Sequence, residues 1–460
     1  MKLLSSCKYL CLAACLTFIC PGCKKFLEVD PPKTQLVSTE VFKTDEGANA
    51  AVLGIYSAMS SGSTALSNGA LTVYQGLAAD ELVGFSSDKE TLQFYNNKLL
   101  TNNSIVTANW NKTYQILLQT NICIEGMTAS TGLSAAVKKR LIAETRVCRA
   151  LQNFYLINLW GAVPLVTTSD WNQNKQLLRT PVDAVYALIT QDLEEAAANL
   201  SSSYPDEERL HPNKYAALAL LARVYLYRGM WDKAEAAANQ VIVSGLYTPL
   251  PALSEVFLKN NTEAIWQLQP INSQYQDTYE GSVFIPAYPG ANPQYYLTDH
   301  ILEAFEQNDQ RKTDWINSTV FQNHTYYYPY KYKIGYQATD QPEYYTVLRA
   351  AETYLIRAEA RAQQNNIAGA TEDLSVVRER AGLNPITLPG KEQMLDAISH
   401  ERQVEFFAEW GHRWFDLIRT GKADAVLAGV KSNWSSTAKL LPVPQSNINF
   451  NNQLTQNPGY

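Results

Sequence analysis

The sequence predicts a mainly α protein, a scaffold of tetratricopeptide-like helix pairs with an irregular, loop-rich excursion and short strands. Three observations point there. Several long segments repeat apolar residues at helical spacing. Two of them, "ARVYLYRGMWDKAEAAANQVI" and "AEARAQQNNIAGATEDLSVVR", superpose with Ala222 on Ala358, Gly229 on Asn365 and Ala234 on Ala370. Each reads as helix, turn, helix, with alanines small enough to let the paired helices approach. Between them, residues 250–346 are rich in Pro, Gly, Asn and Tyr and hold thirteen of the 27 tyrosines.

In chain order, "MKLLSSCKYLCLAACLTFICPGC" has Lys2 and Lys8 and an apolar run from Tyr9 to Cys20, too short to cross a bilayer core. With Gly22-Cys23 and the charged residues after it, the segment resembles a bacterial lipoprotein signal. Residues 1–22 would be removed and Cys23 acylated by palmitate-like chains, several of which anchor a protein stably. "KFLEVDPPKTQL" is an extended lead, since Pro31 and Pro32 oppose helix. From Asp45 the pattern turns helical, with Ala51, Ile55 and Ala58 on one face. "NWNKTYQILLQTNICIEGM" places Tyr114, Leu117, Leu118 and Ile122 at core spacing, and "AAVKKRLIAETRVCRALQNFYLINLWG" is a long helix ending at Gly161. "TPVDAVYALITQDLEEAAANL" offers Thr180 as a cap and Pro181 in the first turn. "YYYPYKYKIGY" alternates as a strand, with Tyr326, Tyr328, Tyr330, Tyr332 and Ile334 on one face and Lys331 and Lys333 on the other; the aromatic row reads as a sheet face packed on helices.

Composition narrows the function. The chain has 460 residues, is 46% apolar and carries a net charge of −6, which argues against a broad nucleic-acid surface. Cys7, Cys11, Cys15, Cys20 and Cys23 crowd the start, leaving Cys123 and Cys148. These two read as buried free thiols, with pairing the alternative in an oxidising compartment. No Gly-rich phosphate loop, GxSxG elbow or dinucleotide fingerprint occurs, and no cofactor is expected. His400-Glu401 starts like a zinc-protease helix, but Val404 stands where the second histidine belongs, so no metal site is expected either.

The densest stretch is "HERQVEFFAEWGHRWFDLIRTG". On one helix, Glu401, Glu405 and Glu409 form a stripe beside Phe406, Trp410, Trp414 and Leu417, with Arg402 and Arg413 in reach. Charges so close to aromatic bulk need partners, and the stretch reads as an ion-pair network clamping two helices. "ERQVEFFAEWGHRWFDLIRTG" also strongly resembles the C-terminal signature of the SusD/RagB family of outer-membrane lipoproteins. "LLPVPQSNINFNNQLTQNPGY", "YLIRAEARA", "DLSVVRERAGL", "FYLINLWGAVPLV" and "CKKFLEVDPP" are similar to other family segments, so the resemblance runs from Cys23 to Tyr460. It implies an N-terminal helical region (23–249) and a C-terminal region (250–460) whose segment 250–346 supplies much of the ligand face. It also implies a protein that sits over a SusC-type TonB-dependent transporter and delivers captured glycan to it. Capture of peptide is an alternative within the family, and a secreted glycan hydrolase is a third reading that no motif supports.

Ligand residues are argued from chemistry. Sugars offer C–H faces to aromatic rings and hydroxyls to amides and carboxylates. Tyr275, Tyr279, Tyr288, Tyr295 and Tyr296, set among Asn272, Gln274, Gln276, Asp277 and Asn292, fit that description. Tyr95, in "FYNNK", is a second candidate.

Overall fold

The computed structural model describes residues 38–85, 88–271, 277–335 and 341–460. The chain divides into two units, Met1–Val41 and Phe42–Tyr460. Of the first, only the short helix Ser38–Val41 is described, so the signal segment and Cys23 lie outside the described residues. The remainder concerns the second unit.

Helix α1 (Asp45–Met59) starts at Thr44, whose hydroxyl accepts the Gly47 N–H at 3.2 Å. It buries Val52, Ile55, Ala58 and Met59 against α2 (Ser104–Ala129) and α3 (Ala135–Trp160). The stripe on α2 is rotated from the expected one. Leu117 is buried, but Leu118 is 39% exposed and Tyr114 and Ile122 are half-buried. Polar residues share the inner face: Thr113 and Thr120 donate to the carbonyls of Asn109 and Leu117 at 2.7 Å, and Asn121 to that of Val166 at 3.0 Å. Self-satisfied polar groups can be buried, and an apolar pattern cannot see them. Cys123 and Cys148 are buried free thiols, and burial pushes the Cys123 thiol up to about 12.

Helix α3 ends at Gly161 in the left-handed region (φ 71°). Helix α4 (Val182–Asn199) is not capped by Thr180. Pro181 is its N-cap, without a side-chain bond, and Thr180 pairs with Val163 in a two-residue ladder.

The two superposable segments form the expected pairs, α5 (Lys214–Tyr227) with α6 (Trp231–Ile242), and α7 (Ala350–Gln363) with α8 (Ile367–Arg380). Gly229 and Asn365 make the turns at φ 67° and 63°. Ala222, Ala234, Ala358 and Ala370 are all fully buried at the crossings, and α6 packs on α7 so that the pairs stack. Helix α9 (Lys391–Glu405) completes this part of the core, with Met394 and Ile398 against Leu355, Leu374 and Val377.

The excursion carries short strands in two-stranded ladders. Strand β1 (Leu82–Gly84) pairs with β3 (Tyr295–Leu297), and β2 (Ala264–Leu268) with β6 (Tyr345–Arg349). Strands β4 (Ile316–Phe321) and β5 (His324–Pro329) form a hairpin. Its two turn residues, Gln322 and Asn323, both have positive φ, as a tight hairpin requires. Strand β5 stops at Pro329 rather than running to Ile334, since proline cannot donate to a ladder. Lys331 therefore does not face solvent. It is 4% exposed, its Nζ 4.5 Å from the centre of the Phe407 ring.

The acidic stripe does anchor a buried ion-pair network, with partners other than those expected. Glu401 pairs with Arg311 at 2.6 Å and Arg378 at 3.2 Å; Glu405 with Arg311 at 2.9 Å and with Arg349 and Arg380; Glu409 with Lys331 at 3.0 Å and Arg349 at 2.7 Å. Arg402 instead pairs with Asp416 at 2.8 Å, and Arg413 holds Asp80 at 2.6 and 2.8 Å. The helix ends at Glu405, and Ala408, Trp410 and Gly411, all at positive φ, turn the chain before α10 (His412–Arg419). Glu409 thus reaches the network from a loop, and the two arginines point elsewhere.

Candidate functional site

The β1–β3 ladder sets Val83 opposite Tyr296 and Gly84 opposite Tyr295. Side chains alternate along a strand. Tyr295 is 7% exposed and packs edge-on to Phe284, whereas Tyr296 is half-buried and meets Tyr326 of β5 edge-on at 5.0 Å. Tyr326 continues to His324 at 4.5 Å and to Phe85 at 5.5 Å, and Phe85 to Phe321 at 5.6 Å. The rings make a partly open aromatic strip along the hairpin. Tyr95 ends the short helix Lys89–Tyr95, half-buried, with Lys431 Nζ 3.9 Å from its ring centre. Burial, then Tyr326 and Tyr95, push the Tyr296 phenol up. Lys431 is itself 7% exposed, and burial brings its ammonium down to about 8. Tyr288 stands apart, 67% exposed, on a loop tied to β4 by the Thr319 hydroxyl donating to the Ala291 carbonyl at 3.2 Å.

Tyr279 opens the short helix Tyr279–Phe284 and donates its N–H to Tyr345 Oη at 2.6 Å. It packs on Gly69, where φ is 77° and any Cβ would strike the ring. Beside it lies a cavity of about 370 Å³, lined by Ser60, Ser63, Asn68, Asp277 and Tyr345 among others. Among the described residues, neither oxygen of Asp277, nor Oδ1 of Asn68, has a hydrogen-bond partner. Flat ring faces beside acceptors fit a hydroxylated, non-aromatic ligand better than an ion. Among the described residues no group of three or more His, Cys, Asp or Glu is placed to hold a metal.

Comparison with known proteins gives the lineage. A family model described as "SusD family" matches residues 287–460, and one described as "Starch-binding associating with outer membrane" matches residues 25–226. The chain belongs to the SusD/RagB family. SusD-like protein P25 of Formosa agariphila is 25% identical over 97% of this chain and 98% of its own length. Starch-binding protein SusD of Bacteroides thetaiotaomicron is 26% identical over 72% of this chain and 74% of its own. A structure titled as a laminarin-binding SusD-like protein superposes with a TM-score of 0.78 at 24% identity, covering 90% of this chain and 99% of that one. A SusD superfamily protein of Bacteroides vulgatus gives 0.80 at 19%, covering 90% and 99%. These superpositions confirm the SusD-like fold, mostly helical with few short strands. No described helix is long and apolar enough to cross a membrane.

Of the candidate residues, Tyr296 joins the hairpin rings, Tyr95 lies within electrostatic reach of Tyr296, and Tyr279 stands in the cavity wall. Tyr295 packs inward, Tyr288 is separate, and Tyr275 lies outside the described residues. The alternation around Tyr326 reads in the sequence as packing, and Phe85, Phe321 and His324 carry no ligand signal there. Ser60 to Asn68 belong to the small polar run "SSGSTALSNG" after α1, the kind of segment that lines a polar cavity.

Proposed function

We propose that the protein is a glycan-capturing lipoprotein of the outer membrane. It would be anchored through Cys23, exposed at the cell surface, and would deliver oligo- or polysaccharide to a SusC-type TonB-dependent transporter. The observation that carries the glycan reading is the strip Tyr296–Tyr326–Phe85–Phe321, and the acceptors of Asn68 and Asp277 in a cavity elsewhere on the fold agree with it. The strip supplies stacking surface and the cavity supplies hydrogen-bond acceptors, the two things a sugar ring needs. The names of its relatives support the same class of ligand, since they are called binding proteins for starch or laminarin rather than enzymes. The transporter, the lipid anchor and the binding role of Tyr95, Tyr279 and Tyr296 belong to this proposal.

The test is electrophoresis of the soluble protein starting at Lys24 through native gels containing polysaccharides. Retardation by a glycan, abolished in Tyr296→Ala and Tyr326→Ala and without release of fragments, is the expected result. Fragments in the chromatogram of the recovered ligand would overturn it in favour of a hydrolase.

A further inference from the structure

The cavity beside Tyr279 carries an acid and no base among its described lining residues, which restricts what it can hold. Asp277 is 4% exposed and Asn68 6%, and three of their oxygens lack a donor among the described residues. Buried acceptors are nearly always met, and an exception points to a water, ion or ligand that belongs there. The Ser61 and Ser63 hydroxyls also line the cavity, but three neighbouring donors are committed elsewhere. Asn68 Nδ2 donates to the Gly62 carbonyl at 3.1 Å, Ser60 Oγ to that of Tyr56 at 3.0 Å, and Ser282 Oγ to that of Tyr279 at 2.9 Å. No lysine or arginine stands among the described lining residues. Burial raises the Asp277 carboxyl, as expected for an acid with no compensating cation.

An uncharged sugar ring presents hydroxyl or acetamido protons to such a wall, and a hydroxyl donating to a carboxylate makes one of the stronger hydrogen bonds. A uronate or sulfate would instead bring a second negative charge against Asp277 in a partly dehydrated space, where like charges repel steeply. We infer that the cavity selects an uncharged, donor-presenting sugar ring and rejects acidic ones, with Asp277 setting the choice. This inference rests on the glycan-binding reading above and adds its substrate class.

Native gels cast with laminarin, starch or mannan on one side, and alginate or polygalacturonate on the other, test it. Retardation by at least one neutral polymer and by neither acidic one is expected. Asp277→Asn, nearly the same shape, should weaken neutral binding about tenfold or more. Asn68→Ala should weaken it in the same direction, and it serves if the first variant does not fold. Retardation of the wild type by an acidic polymer, or neutral binding that neither variant weakens, overturns the selection and leaves glycan capture standing. No retardation by any of these polymers overturns glycan capture and the selection with it.

Discussion

Arg349, at the end of β6, is the hub of the buried network and the sharpest place to test it. It is 2% exposed. Its guanidinium holds Glu409 at 2.7 and 3.0 Å, Glu263 at 2.9 Å, the Glu405 carboxylate, and the Glu405 carbonyl at 3.0 Å. Arg349→Met keeps most of the stem and removes the charge. Glu263 then keeps Arg380, Glu405 keeps Arg311 and Arg380, and Glu409 keeps Lys331. Because no carboxylate is wholly abandoned, the loss should fall at the lower end of that for breaking a buried pair, about 3 kcal/mol. The control is Lys422→Ala, whose pair with Asp396 has side chains 43% and 73% exposed; it should lose less than about 1 kcal/mol. Urea unfolding followed by tryptophan fluorescence reads both, since the buried Trp315 ring lies 5.9 Å from Arg349 Cζ. The pH dependence has a definite sign. Burial would raise the Glu405 carboxyl, but Arg380, Arg349 and Arg311 outweigh it and hold it well below its usual 4.5. A depressed carboxyl stabilises the fold above its unfolded value and loses that contribution as pH falls. Without Arg349 the depression is weaker, so the gap between wild type and variant should hold from pH 7 down to about pH 4.5 and narrow as pH falls below that. A loss no larger than the control's, or a gap that does not change with pH, would refute the clamp.

Three further outcomes follow from the same geometry. Ala358→Leu puts three extra carbons into a fully buried helix crossing and should destabilise by about 1–3 kcal/mol in urea unfolding, with glycan retardation unaltered. His300 Nε2 lies 3.0 Å from Asp80 Oδ2, and that hydrogen bond holds the imidazole above its usual 6.5. Its stabilisation is complete below 6.5 and lost as pH rises through the elevated value, so His300→Ala should lose more stability near pH 5.5 than near pH 8.5. The side chain is 43% exposed, so the difference should stay under about 1 kcal/mol. In the soluble protein starting at Lys24, neither Cys123 nor Cys148 should react with a thiol reagent until the chain is unfolded, because burial raises both thiols.

The helix pairs were legible because their signal is local, alanine at the crossing and Gly229 or Asn365 at the turn. The acidic stripe was legible as a network but not in its partners. Recognising that requires knowing that Ala408 and Trp410 take positive φ, a conformation their side chains do not favour and only tertiary packing imposes. The strand reading overran Pro329 for a related reason. Alternation continued in the letters, while Lys331 was drawn inward by Glu409 and by the rings of Phe407 and Trp315. The candidate face was legible only as a list of tyrosines. Which of them face outward depends on the β1–β3 register and on a hairpin about thirty residues further on. Asn68 and Asp277, far apart in sequence, share a wall only in the fold.

The signature stretch and the candidate face are joined by Thr72, which makes the structural role of that stretch testable at a distance. Thr72 is 1% exposed; its hydroxyl donates to Glu280 Oε1 at 3.0 Å and accepts the Trp410 N–H at 3.1 Å. Trp410 in turn donates its indole N–H to the Thr346 carbonyl of β6 at 2.8 Å, next to Tyr345 of the cavity wall. Thr72→Val keeps the shape and removes both bonds. It leaves the Trp410 N–H unmet and Glu280, whose other oxygen already lacks a partner among the described residues, with no donor from Thr72. Two buried groups so exposed to desolvation should together lose about 2–4 kcal/mol. Burial already holds the Glu280 carboxyl up at about 7, and the Thr72 hydroxyl is one of the bonds pulling it down. A raised carboxyl destabilises the fold above its unfolded value near 4.5, and more so the higher it is raised. The variant's deficit should therefore be larger near pH 8.5 than near pH 5. Glycan retardation should weaken with it, because the Tyr279–Phe284 helix loses its bond from Thr72, and Trp410, whose indole holds β6, loses its backbone partner. Full retardation in a variant that shows the stability loss would separate the signature from the ligand face and leave it as a scaffold element alone.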